Sequence, residues 1–264
     1  PTAIKMQTVF DQESKTKYVA CNADEGDGGT FSDRLMMECD PYSLIEGMTI
    51  AAYSVGACYG YIYLRSEYPL AKYFLTEAIQ ILKSKNLLGK NILGKNFTFD
   101  IELRIGAGSY VCGEETAMME SIEGKRGLVR SKPPLPAIKG LFNKPTLINN
   151  VITLASLSAI LMQGKDIFSQ FGSGKSVGTM PFQLCGNIKQ GGLIEVPFGI
   201  TLNEMIYDFG AGTLNEKPAH AVQIGGPLGI YLPTHLFDTP LTVESLIDLK
   251  GSLGHGGIIV FDDS

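Results

Sequence analysis

Apolar and polar positions along the first 165 residues switch repeatedly between a strand period and a helix period. Residues 17–21 (KYVAC) form a short apolar run that ends in a polar, glycine-rich stretch, 22–33 (NADEGDGGTFSD). Residues 41–56 place Leu44, Met48, Ala51, Ala52 and Val55 at helical spacing, and 59–64 (YGYIYL) reads as a second strand. A helix is expected over 68–88, with Pro69 suited to its first turn. Residues 97–105 (FTFDIELRI) alternate apolar with polar and are rich in β-branched and aromatic types, which predicts a half-buried third strand. Strands alternating with helices predict a parallel sheet covered on both faces.

Residues 126–145 (RGLVRSKPPLPAIKGLFNKP) break this rhythm, being too proline-rich for a helix; a basic, semi-rigid loop is expected. A strongly apolar helix is expected over 148–163, capped by Asn149 and Asn150, followed by a linker at 172–178 (GSGKSVG). Further on, the pattern predicts a hairpin over 180–198 turning at Gly191-Gly192, a helix over 202–209 and a strand over 221–224. This divides the chain into an α/β domain, 1–175, and a small α+β domain of β-grasp type, 176–264.

With 264 residues, 44% of them hydrophobic, and a mean hydropathy of +0.10, the chain can bury one large core or two smaller ones. A net charge of −5, with no basic run longer than two residues, gives nucleic acid or an anionic membrane little to bind. No apolar run reaches the ~20 residues that cross a bilayer, and no signal peptide is visible, so a cytoplasmic location without membrane insertion is expected. Cys21, Cys39, Cys58, Cys112 and Cys185 are dispersed without a C-x-x-C pair, which argues against a zinc or cluster site among them. The three histidines all follow residue 219, outside the α/β region, and disfavour a His-based nucleophilic triad.

Candidate chemistry concentrates at 106–116 (GAGSYVCGEET). Gly106 and Gly108 follow a strand, and the helix expected from about Gly113 offers unpaired N–H groups and a positive dipole end to an anionic ligand. The spacing is not that of a dinucleotide-binding fingerprint, and a glycine turn alone is equally an ordinary strand-to-helix connection. Glu114 and Glu115 either complement the dipole or face a cofactor. Gly174-Lys175-Ser176 resembles the end of a P-loop, but Ser169 stands where its first glycine belongs. Asp24, Glu25 and Asp27 lack the spacing of a calcium loop, so a polar turn or ligand-facing loop is the better reading.

Taken together, Asn22-Ala23-Asp24-Glu25, the 29–34 segment (GTFSDR), the 106–117 segment, Arg130-Ser131-Lys132-Pro133-Pro134 and Asn149-Asn150-Val151 resemble the flavoprotein subunit of the NADH dehydrogenase family. That family includes the NADH-binding subunit of respiratory complex I and the flavin subunits of NAD-dependent formate dehydrogenases and NAD-linked hydrogenases; the segment around Gly26-Asp27-Gly28-Gly29 and Leu135 resembles the latter two more. The resemblance implies a Rossmann-like FMN domain that exchanges hydride with NAD(H) and passes electrons singly to or from iron–sulfur clusters. It implies as partners a thioredoxin-like 2Fe–2S subunit and further iron–sulfur subunits. Asn22, Asp24, Glu25, Gly113, Glu114, Asn149, Asn150 and Thr153 would surround the flavin. Asp27, Glu115 and Lys132 would face NAD(H), and Lys5 and Tyr110 complete the cofactor-binding set.

The resemblance also carries departures. The family's glycine-rich loop around the flavin phosphate is expected before Pro1, and its 4Fe–4S cysteine motif after Ser264. Thr8 and Leu135 occupy positions that are aromatic in complex I members, Met6 replaces a usual Trp, and Asp27 a Glu. A non-catalytic assembly module and a quinone-linked flavin dehydrogenase therefore remain as alternative readings.

Overall fold

A computed structural model describes residues 2–264, which fall into two compact units. Of the described residues, the first comprises 2–25 and 33–162, the second 26–32 and 163–264.

The first unit is built on a parallel four-stranded sheet of order β3-β2-β1-β4. The strands are β1 (Tyr18–Ala23), β2 (Tyr59–Leu64), β3 (Asp100–Ile105) and β4 (Thr146–Asn150). Tyr18 is in register with Tyr59 on one side and Thr146 on the other, so β1 and β4 end side by side at Asn22 and Asn150. Six helices accompany the sheet: α1 (Thr2–Phe10), α2 (Ser32–Cys39), α3 (Pro41–Val55), α4 (Pro69–Ser84), α5 (Glu115–Ile122) and α6 (Pro136–Lys139). A seventh, α7 (Val151–Gln163), leaves β4 directly. Both faces of the sheet are covered, as the periodicity predicts. Val19, Cys21, Leu44, Met48, Leu75, Leu147 and Leu154 form the core on one side, and Ala20, Tyr63, Met118, Ile122 and Ile148 that on the other.

Helix α3 shows how local chemistry sets an element's limits. Asp40 accepts from the Ser43 N–H at its start, Pro41 occupies the first turn, and Gly56 ends it with φ +73°. In its middle, a Cβ on Gly47 would lie 1.9 Å from the Leu154 carbonyl oxygen, so only glycine lets α3 lie this close to α7.

The expected helix at 148–163 needs correction at its start: residues 148–150 end β4, and the helix begins at Val151. Pairing with β1, a contact 128 positions away in register (Tyr18 with Thr146), outweighs the local helical signal.

The second unit holds a mixed five-stranded sheet of order β10-β9-β11-β7-β8. These strands are β7 (Thr179–Gly186), β8 (Gly192–Pro197), β9 (Ala219–Ile224), β10 (Ile230–Pro233) and β11 (Gly257–Asp262). β7 and β8 form the expected antiparallel hairpin, and a π-helical turn (Glu204–Phe209) lies within the expected helix. β11 runs parallel to β7 and antiparallel to β9, between them. Phe182, Leu184, Val222, Ile224, Ile258 and Val260 pack with Met205, Ile206 and Leu246, the last on α9 (Val243–Asp248).

The 172–178 segment is no linker. It forms a small hairpin, β5 (Gly172–Ser173) with β6 (Ser176–Val177), after the one-turn helix α8 (Lys165–Phe168). Ser176 Oγ donates to Glu244 at 2.7 Å and accepts from the Val243 N–H at 3.0 Å, tying this segment to the second unit. The contacts place residues 163–264 in the second unit. Gly174-Lys175-Ser176 is the turn of this hairpin, with the Lys175 N–H donating to Glu244.

Candidate flavin site at the ends of the parallel strands

Ligands of open parallel sheets bind beyond the carboxyl ends of the strands, because the loops there diverge and leave a crevice. In the first unit those ends deliver Asn22 and Asp24 from β1, Arg65 to Glu67 from β2, Gly106 to Ser109 from β3, and Asn149 and Asn150 from β4. Gly106 packs its bare Cα against the Tyr63 ring, whose hydroxyl would lie 2.8 Å from an added Cβ. Gly108 takes φ +85°, a left-handed turn that favours glycine.

Asn22 links two of these loops: its Nδ2 donates to the Gly113 carbonyl at 2.7 Å, and its Oδ1 accepts from the Asp24 N–H at 3.2 Å. A Cβ on Gly113 would stand 3.5 Å from the Asp24 carbonyl oxygen and 3.7 Å from its Oδ2. That Oδ2 is buried without a hydrogen-bond partner among the described residues, as is Asn149 Nδ2. Burial pushes the Asp24 carboxyl up to about 6, against the pull of the Arg65 guanidinium; Glu67 adds to the rise.

Glu114 and Glu115 divide the two roles that the sequence leaves open. Glu114 caps α5: its Oε2 accepts from the N–H groups of Thr116 (2.8 Å) and Ala117 (3.0 Å). Burial alone would raise its proton affinity, but bonds from the Thr116 hydroxyl, the Ala117 N–H and Lys132 outweigh it and hold the carboxyl below its ordinary range. Glu115 makes no such cap and meets two lysines instead. Lys132 Nζ lies 2.7 Å from its Oε1 and 3.0 Å from Glu114 Oε1, and Lys5 Nζ lies 3.5 Å from its Oε2. Lys5 also donates to the Ile148 carbonyl at 3.2 Å. Arg130 brings Lys132 there by anchoring the proline loop on Glu123, Glu120 and the Gly140 carbonyl, while its own N–H donates to Thr116 Oγ1.

Glu25 has a different environment from its neighbour Asp24. Its two carboxylate oxygens accept from the N–H groups of Asp33 (3.1 Å) and Arg34 (3.0 Å), at the start of α2, and from the Tyr68 hydroxyl (3.0 Å). Asn150 holds the same turn, donating to Asp33 Oδ2 at 2.7 Å while its Oδ1 accepts from the Ile152 N–H and starts α7. Thr153 is half-buried in the first turn of α7, and Tyr110 is 47% exposed in a 3₁₀ turn (Tyr110–Gly113). The first unit thus brings together Lys5, Asn22, Asp24, Gly113, Glu114, Glu115, Lys132, Asn149 and Asn150 around the ends of β1 and β4. Asp27 belongs to the second unit, where its Oδ2 accepts from the His255 N–H and its carboxylate packs on Gly226.

Arg65, Tyr68 and Asp33 are residues to which the sequence pattern assigns no site role. The signal for Arg65 is its position immediately after β2, equivalent to that of Asp24 after β1.

Residues 1–159 match the Nuo51 FMN-binding domain. The chain belongs to this family. It is 48% identical over 263 residues to the NADP-reducing hydrogenase subunit HndC of Solidesulfovibrio fructosivorans, covering 100% of this chain and 54% of that one. It is 42% identical over 264 residues to an NADH-quinone oxidoreductase subunit of Rhizobium meliloti, covering 100% of this chain and 63% of that protein. The chain therefore spans between half and two thirds of these relatives. A crystal structure of an air-oxidized NAD+-reducing NiFe-hydrogenase superposes on the whole chain with a TM-score of 0.86 at 34% identity, covering 43% of the matched hydrogenase chain. The site suits the flavin of this family: a buried donor and a buried acceptor without partners among the described residues, with the bare Gly113 beside the acceptor, match a polar, hydroxylated ligand. No helix among the described residues is long and apolar enough to cross a membrane.

Proposed function

We propose that this chain forms the FMN- and NAD(H)-handling part of an oxidoreductase flavoprotein subunit, exchanging hydride between NAD(H) and FMN and passing electrons singly to or from iron–sulfur clusters. The observations that carry the flavin placement are two buried atoms without hydrogen-bond partners among the described residues, Asp24 Oδ2 beside Gly113 and Asn149 Nδ2 at the end of β4. A bound flavin supplies the chemistry of a two-electron acceptor that releases electrons one at a time. The chain's own residues supply placement. Asn22 fixes the Gly113 carbonyl, Asp24 and Asn149 offer an acceptor and a donor to the flavin's hydroxylated chain, and Asn150 with Asp33 holds the β4 turn. Glu115, with Lys132 and Lys5 beside it, positions the dinucleotide by hydrogen bonding, since hydride transfer depends on alignment more than on proton transfer.

The five cysteines carry no paired spacing for a cluster, so the clusters belong elsewhere in the assembly, including a thioredoxin-like 2Fe–2S subunit. A cytoplasmic assembly fits the absence of a membrane-crossing helix among the described residues. In the second unit, two hairpins flank β11, which is parallel to β7; this order supports a β-grasp reading. The test is flavin content and NADH–ferricyanide activity of the full-length subunit. Stoichiometric FMN and NADH-dependent reduction are expected; a full-length subunit that binds no FMN and reduces no acceptor overturns the reading.

A further inference from the structure

We infer that Arg65 is a positioning residue of the flavin site, holding the Asp24 carboxylate ready to accept a hydrogen bond from a ligand hydroxyl over Gly113. The inference rests on the flavin reading above. Arg65 follows β2 directly, and each of its Nη groups is engaged: Nη1 donates to the Glu25 carbonyl and Nη2 to Glu67 Oε1 at 3.0 Å. Its guanidinium lies over the Tyr68 ring, 5.0 Å from the centroid. These contacts fix a cation against the backbone that carries Asp24, and the remaining Nε is buried without a partner among the described residues. Three groups from β2 and the loop after it act on Asp24. Arg65 favours its ionised form, while Glu67 opposes it, and the Tyr63 phenol on β2 interacts with it as well. Glu114, beyond Gly113, is committed to its own cap. A buried carboxyl changes from acceptor to donor on protonation, so Arg65, held against the Glu25 carbonyl, favours the accepting form against burial and Glu67.

Linkage sets the sign. If the ionised form receives the ligand hydroxyl, affinity is full above the carboxyl's unliganded value of about 6 and falls as pH drops through it, tending to about tenfold per pH unit. The experiment measures dissociation constants of FMN for the full-length subunit over pH 5 to 8.5 by fluorescence quenching, with riboflavin in parallel. Riboflavin carries the same hydroxylated chain without a phosphate, which itself titrates near pH 6. For the wild type, both flavins are expected to show a step near pH 6. Asp24→Asn should bind more weakly and without the step. Arg65→Gln should move the step upward by roughly one pH unit, the scale on which a neighbouring opposite charge acts, so that alkaline buffer restores its affinity. Arg65→Lys should keep the wild-type midpoint. Flavins that bind with an unmoved midpoint in Arg65→Gln, a step seen with FMN alone, or a step persisting in Asp24→Asn each overturn the inference and leave the flavin reading standing. Failure of both flavins to bind the wild type at any pH overturns both.

Discussion

Two buried polar groups, Gln183 in the second unit and Asp24 in the first, show opposite uses of the same expense. Gln183 is fully buried, and every polar atom of its amide is used. Oε1 accepts from the N–H groups of Phe31 (3.0 Å) and Ser32 (3.2 Å), and Nε2 donates to the carbonyls of Pro181 (2.9 Å) and His255 (3.1 Å). It joins β7 to the 26–32 loop and to the segment before β11. Asp24 keeps one buried oxygen without a hydrogen-bond partner among the described residues, at the open ends of the parallel strands. A satisfied buried amide holds a fold together, whereas an unsatisfied polar group is tolerated where a ligand completes it. Residues whose loss unfolds the chain are thereby distinct from residues whose loss empties the site.

The largest expected effect is on Gln183. Gln183→Leu leaves two N–H groups and two carbonyls without this partner, and should cost about 3 kcal/mol in urea denaturation. Folded material should still bind FMN as before; an undiminished midpoint would mean that the loop and strand hold without the amide. Asn149→Ala should do the reverse. Its Nδ2 makes no hydrogen bond among the described residues, so stability should fall much less than in Gln183→Leu, while FMN affinity should drop about tenfold, the value of one hydrogen bond. A large loss of stability with intact affinity would place Asn149 with Gln183.

Charge separates the two kinds of residue again in nucleotide choice. Around the proposed dinucleotide region Glu114 and Glu115 are matched by Lys132 and Lys5, two charges of each sign, so a 2′-phosphate is disfavoured only where it meets the carboxylates rather than the lysines. In that arrangement NADH is expected to exceed NADPH in kcat/KM by about tenfold or more, a difference of ~1.4 kcal/mol; equal values would remove the electrostatic argument. Glu115→Gln should then raise the KM for NADH several-fold with flavin content unchanged, whereas a small drop in Tm with unchanged kinetics would make Glu115 structural.

The smallest effect is expected from the Glu114 cap, worth about 1 kcal/mol. Its carboxyl is held below its ordinary value of 4.5, so the stabilisation stands above that pH and is lost as pH falls through the lowered value. Glu114→Gln should lower Tm most at neutral pH, with the difference from wild type shrinking as pH falls below 4.5, so that its acid limb is flatter; an unaltered acid limb would assign the profile to other carboxylates.

Much of the site was legible because strand and loop are adjacent in the chain. The apolar runs at β1, β2 and β3 each lead into polar or glycine-rich residues, and local periodicity with one turn signal identifies both halves. Glu25 was less legible: beside Asp24 in sequence, it turns to α2 and accepts from backbone N–H groups eight and nine positions on. Arg65 carries no motif of its own, and its importance depends on a charge across the gap between two strands.

By itself, the sequence determined the alternation of strands and helices in the first unit, the hairpin at the start of the second, and the cluster of acidic, amide and glycine residues that implies a flavin site. These depend on side-chain period and backbone freedom, which are properties of neighbours along the chain. Only the tertiary structure decided that 146–150 is a strand beside β1 and that 257–262 completes the second sheet between β7 and β9. It also decided that, of two adjacent carboxylates, Glu114 caps a helix while Glu115 meets both Lys132 and Lys5. The strand pairings and the Lys5 and Lys132 ion pairs join residues far apart in sequence, and such pairings have no local signature.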